Sequence, residues 1–154
     1  MEAESHLLTI ASTRFGELQL EEDDLLYFPD GLLGLESCQR WILLIDWDHA
    51  ACGWLQSATV PEIALAVVSP RRFVPDYQIR TTPAELQSLQ LENLTEAQVL
   101  VIVGKNSCGQ TLNLKAPLIL NPTHRLGRQI IAKGDLPVRY VLPLSPTQLL
   151  KLAS

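Results

Sequence analysis

The sequence lacks most of what announces chemistry. It has no Gly-rich phosphate loop, no HExxH and no CxxC. Its three cysteines, Cys38, Cys52 and Cys108, are odd in number and widely spaced. That excludes a disulfide framework and reads as reduced, small apolar side chains. Among the histidines, only His49 stands with other metal-type residues, in "DWDHAAC" with Asp46, Asp48 and Cys52. A zinc site needs a second, distant pair of ligands, and the sequence offers none, so an acidic loop is expected there and no metal. His6 and His124 stand alone, and no local pattern announces a catalytic set or a cofactor. Long apolar runs are also missing. Trp41–Ile45 and Val99–Val103 are far too short to cross a bilayer. The opening Met-Glu-Ala-Glu lacks the positive start of a signal peptide, so a cytoplasmic location is expected.

Positive charge is scarce over two thirds of the chain. Residues 1–104 hold 5 Lys/Arg against 16 Asp/Glu, while residues 105–154 hold 7 Lys/Arg against Asp135 alone. The sums, −11 and +6, give the net −5. The first part repels nucleic acid, and the second suits an anion or an acidic protein. In a sheet protein distant strands interleave, so this asymmetry need not make two faces. Only Arg71 and Arg72 interleave with aromatics, so direct nucleic-acid binding is not expected, and with apolar runs this short no membrane partner is expected either.

What the chain does have is apolar residues, 47% of its 154, enough for one domain with a real core. They fall in short runs at strand spacing. Leu7–Ala11 and Phe15–Leu20 read as two strands, with Leu18 and Leu20 facing opposite to Glu17 and Gln19. Glu21–Asp24 reads as a solvated acidic loop. In "YFPDGLLGLE", Pro29-Asp30-Gly31 and Gly34 predict two bends in a compact loop against the core. Arg40–Trp47, Gly53–Ala58 and Ile63–Pro70 are strand candidates, the first buried on both faces and the last stopped by Pro70. After a Pro75-Asp76 bend, "DYQI" alternates like a strand. Thr82, Pro83 and Glu85 make a capping box for one helix, with Leu86, Leu89 and Leu91 as its apolar stripe. "AQVLVIVGK", "TLNLKAPLILN", "RQIIA" and "VRYVL" complete the strands, and Ser145-Pro146 starts a short tail helix. The fold class is mainly β: one antiparallel, barrel-like domain over residues 1–154 with one or two short helices, since curling removes edges.

Two sets of residues are candidates for contact with a partner. Phe28, Phe73 and Tyr77 lie beside Pro-Asp turns, with Asp76 between the last two. Rings held by loops suit a protein contact, or they plug the barrel ends. In "LNLKAPLILNPTHRLGRQII", Asn113 and Asn121 flank a strand that Pro117 places at an edge or bulge, and both suit local backbone bonds. "PTHRLG" is a turn with Gly127 available for a positive φ. A turn does not explain Arg125 and Arg128 so close together, so with Lys115 they are read as part of a docking surface.

In order, "FPDGLLGLE" (28–36), "WLQS" (54–57), "PEIALAVVSP" (61–70), "FVPDY" (73–77), "NLKAPLILN" (113–121) and "RLGRQII" (125–131) resemble the FliW family of flagellar assembly factors. The resemblance spans about residues 8–143 and leaves 144–154 as a tail. It implies a barrel-like protein that binds flagellin in the cytoplasm and also binds CsrA, an RNA-binding translational repressor. Export of flagellin would free the factor to capture the repressor, with no catalysis and no cofactor. Leu35 stands where the family commonly has an aromatic residue. The competing reading is a small-ligand carrier or enzyme in a barrel mouth, which a filled interior would count against.

Overall fold

In the computed structural model, residues 7–45 and 52–142 are described. The acidic and metal-type side chains of Asp46, Asp48 and His49, and the tail helix expected from Ser145, lie outside them.

A barrel forms because the alternating strands each have one apolar side to bury. Seven strands close it, in the order β7 (Gln98–Asn106), β6 (Ala64–Val68), β5 (Cys52–Ser57), β4 (Arg40–Ile45), β3 (Leu26–Tyr27), β10 (Leu126–Gln129) and β9 (Leu118–Asn121), with β9 pairing back onto β7. Every pairing is antiparallel except β10 on β3, where Leu126 faces Tyr27. β8 (Gly109–Leu112) continues the far half of β7 as a hairpin, and β11 (Tyr140–Val141) adds to its edge. β1 (Leu7–Ser12) and β2 (Gly16–Glu21) form a separate hairpin.

The period of two sorts the side chains. Trp41, Leu55, Val67, Leu100, Leu118 and Leu120 point inward and meet Phe28, Leu26 and Leu32 in the barrel core. Their sequence neighbours point outward and are covered in turn. Ile42 is covered by Ile10 and Leu20 of the hairpin. Val68 and Val101 are covered by Tyr77, Leu114 and Leu142. Ile119 is covered by Leu89 and Leu91 beyond the helix. This double covering explains the apolar run in β4 as far as Leu44, whereas Ile45 is exposed and not buried as expected. Burial of each such side chain contributes about 1.5–3 kcal/mol.

The hairpin is also fixed by polar contacts. Ser12 Oγ donates to Gln56 Oε1 at 2.7 Å, Arg14 lies 4.1 Å over the Trp54 ring, and Phe15 meets that ring edge-on at 5.8 Å. The helix α1 (Pro83–Ser88) carries the expected capping box: Thr82 N donates to Glu85 Oε1 and Glu85 N to Thr82 Oγ1. The Phe28–Cys38 loop is compact as expected, with Leu32 and Leu35 exchanging backbone bonds.

Three expectations are corrected. Glu21–Asp24 is exposed as predicted, but Glu22–Asp24 winds into a single 3₁₀ turn rather than an open loop. "DYQI" makes no strand, because Pro70 ends β6 and the chain then turns, with Tyr77 O taken by the Arg71 side chain. The positive φ in the β9–β10 turn belongs to Arg125 (φ 56), not to Gly127. Gly127 is needed for another reason: a Cβ there would meet the Phe28 ring at 2.3 Å.

Candidate functional site

The predicted contact residues separate into two places. The first is a bulge in the barrel wall. Val103 faces Leu112 and Leu100 faces Leu118, so Val101 and Ile102 stand opposite the five residues Asn113–Pro117. Asn113 Oδ1 organises this bulge by accepting from Lys115 N at 3.2 Å and Ala116 N at 3.1 Å. That is the local side-chain turn for which Asn is suited. Pro117, with no N–H to donate, fits there. The next segment tracks back along the bulge, with Ile130 N on Pro117 O and Ala132 N on Lys115 O. Lys115 Nζ donates to Gly134 O at 2.6 Å.

Tyr77 belongs to the same place. It is 4% exposed, and its hydroxyl donates to Leu114 O at 2.7 Å. Burial disfavours the phenolate and pushes its pKa up to about 12. The ring is therefore packing, and the surface at this bend is Asp76 (exposed) with Phe73 (half-buried). Phe28 is wholly buried in the core. Beside Tyr77, a groove of about 530 Å³ runs between Pro70, Arg71, Ile79 and the Leu94–Val99 segment.

The second place is the β9–β10 turn. Asn121 Nδ2 donates to Leu89 O at 2.7 Å, and its Oδ1 accepts from Thr123 N and His124 N. One buried amide thus ties the end of α1 to the turn. Arg128 Nη1 donates to Ser88 Oγ at 3.0 Å, which itself donates to Glu85 O. Arg125 turns the other way, with Nη2 donating to Asp24 O at 2.8 Å. Arg125 Nε is buried without a partner. Lys115, Arg125 and Arg128 therefore contact three different neighbours and do not share one. The basic second part meets the acidic first part at Arg125, so the charge asymmetry of the sequence does not become two faces there.

Two features escaped sequence reasoning. The packing of Phe28 on Gly127 is a long-range contact with no local signal. The left-handed backbone of Arg125 and its unpartnered Nε are the second, since the turn's glycine stands two residues later. Among the described residues, no His, Cys, Asp and Glu side chains group as a metal site, and no helix is long and apolar enough to cross a membrane.

A family model described as FliW protein matches residues 9–142. The chain belongs to the FliW family. It is 34% identical to the flagellar assembly factor FliW of Natranaerobius thermophilus, over 80% of this chain and 84% of that one. It is 36% identical to the factor of Syntrophomonas wolfei, over 92% of each. A crystal structure of the flagellar assembly factor FliW matches with a TM-score of 0.76 and 25% identity, covering 86% of this chain and 94% of that one. The FliW match confirms the mainly β, barrel-like fold and gives the chain a place in flagellar assembly.

Proposed function

We propose that the chain binds flagellin in the cytoplasm and, once flagellin is exported, binds and so antagonises the translational repressor CsrA. Flagellin translation then follows flagellin export. The reading rests on the match to the FliW family along nearly the whole chain. The action is binding, without catalysis or cofactor. The filled interior supports this over a ligand carrier: Phe28, Trp41, Leu55 and Leu118 are 0% exposed where a barrel ligand would sit.

Contact residues are proposed at both places described above. Asp76, Phe73 and Lys115 would present the bulge side, shaped from beneath by Tyr77 and Asn113. Arg125 and Arg128 would present the turn, held in place by Asn121. The exposed Glu21–Asp24 run would speed encounter with a basic repressor. A pull-down from the lysate of a motile bacterium, read by mass spectrometry, tests the reading. Recovery of flagellin and CsrA is expected, and recovery of neither would remove it.

A further inference from the structure

Among the described residues, β4 is open along part of one edge. Arg40 O accepts from Ala58 N, so Arg40, Ile42 and Leu44 direct their backbone groups at β5. Trp41, Leu43 and Ile45 direct theirs the other way, toward β3. There β3 has two residues only: Leu26 faces Trp41 and Tyr27 faces Arg40. The chain before it winds into the Glu22–Asp24 turn, so among the described residues no strand pairs with Leu43 and Ile45 on that side. An unpaired edge is a template for another strand.

A cavity of about 250 Å³ lies against this edge. Its walls include Leu43 and Leu44 of β4, Leu18 and Leu20 of β2, Asp24 and Arg125. The volume falls below the roughly 300–1,000 Å³ of ordinary small-ligand clefts. Arg125 is the residue with the left-handed φ of 56 and the buried, unpartnered Nε. A non-glycine in that conformation is strained, and a buried donor without an acceptor adds to the cost. The Asp24 carboxylate lies in the same space, with Oδ2 taking Glu21 N at 2.9 Å, and makes no bond to that Nε. The open edge, the apolar walls and Arg125, held through Nη2 on Asp24 O with its Nε unpartnered, adjoin one space.

We propose that the Leu43–Ile45 edge of β4 accepts an extended segment of a partner protein as an added strand, with an Asp or Glu side chain of that segment meeting Arg125. Main-chain bonds to Leu43 and Ile45 give the segment its direction. Leu18 and Leu20 receive an apolar neighbour, and a carboxylate makes a charge-assisted bond of the stronger kind. The proposal rests on the reading that the chain grips other polypeptides, and it names one place and chemistry for the grip.

The test is affinity selection from two randomised peptide pools of about eight residues, one with a fixed Glu and the other with Gln in its place. The full chain should enrich the Glu pool. Amide exchange at Leu43 and Ile45 should slow when an enriched peptide is bound. Arg125→Asn, which tolerates the left-handed backbone, should weaken that peptide about tenfold or more. Arg125→Lys keeps the charge without the Nε and should weaken it less. Equal recovery of the two pools, protection at amides elsewhere, or unchanged affinity in both variants would overturn the proposal. Enrichment by a chain that ignores flagellin and CsrA would leave this site standing and sink the functional reading above.

Discussion

Gly127→Ala tests how tightly the barrel wall is built. The new Cβ would lie 2.3 Å from Phe28 Cζ, with two more ring carbons at 2.5 and 2.6 Å. The ring cannot retreat easily. It is 0% exposed, its own N–H is bonded to Gln39 O, and its carbonyl accepts from Gly31 N. Gly31 is itself pressed against the Glu36 backbone. Overpacking a core of this kind costs about 1–3 kcal/mol, and the rigid surroundings put this case in the upper half. For a domain of this size that is a fall in Tm of about 4–10 °C. The φ of Gly127 is not positive, so sterics alone carry the effect. Gly34 provides the contrast, with φ 83 and open space where its Cβ would go. Gly34→Ala should cost about 1–2 kcal/mol through the backbone alone. Phe28→Leu relieves the clash, so Phe28→Leu/Gly127→Ala should cost less than the sum of its parts. Urea unfolding of the four variants reads all of this. A Gly127→Ala protein within 0.5 kcal/mol of wild type, by the ~±0.5 kcal/mol scatter of neutral surface changes, would refute the packing argument.

Other consequences follow from single contacts. Tyr77→Phe leaves Leu114 O buried without its donor and should cost about 1–3 kcal/mol by denaturant unfolding. The raised Tyr77 pKa favours the neutral phenol in the folded state, so its contribution is complete below pH 10 and is lost as pH climbs from 10 toward 12. Wild type should therefore lose more stability over that window than Tyr77→Phe does. Asn113→Ala removes the acceptor for two bulge amides and should cost about 1–2 kcal/mol, with faster amide exchange at Lys115 and Ala116. Association with a basic partner should slow as salt rises if the exposed Glu21–Asp24 run steers it, and a rate indifferent to ionic strength would count against that.

The parts of the fold legible in the sequence were those with a local cause. The capping box at Thr82 and Glu85, the stop at Pro70 and the bulge at Pro117 each come from chemistry within a few residues. Strand ends were less legible: "RQIIA" and "VRYVL" shrink to Leu126–Gln129 and Tyr140–Val141, because the ladder stops where no neighbour continues it. The aromatic residues show the limit most clearly. Phe28, Phe73 and Tyr77 all sit beside Pro-Asp turns, yet Phe28 is core, Tyr77 is buried under the bulge and Phe73 alone is half-open. Which way a loop ring turns depends on what packs above it, and that is set by strands far away in sequence. The same holds for Arg125, whose neighbour Asp24 comes from the other end of the chain.

Isothermal titration of the purified chain with purified flagellin and, separately, with purified CsrA tests the central claim most directly. Saturable binding of each is predicted, with Arg128→Glu, which gives up only an exposed hydrogen bond to Ser88 Oγ, weakening at least one of them while Tm stays within a few degrees. Absence of heat and of complex with both proteins would contradict the account.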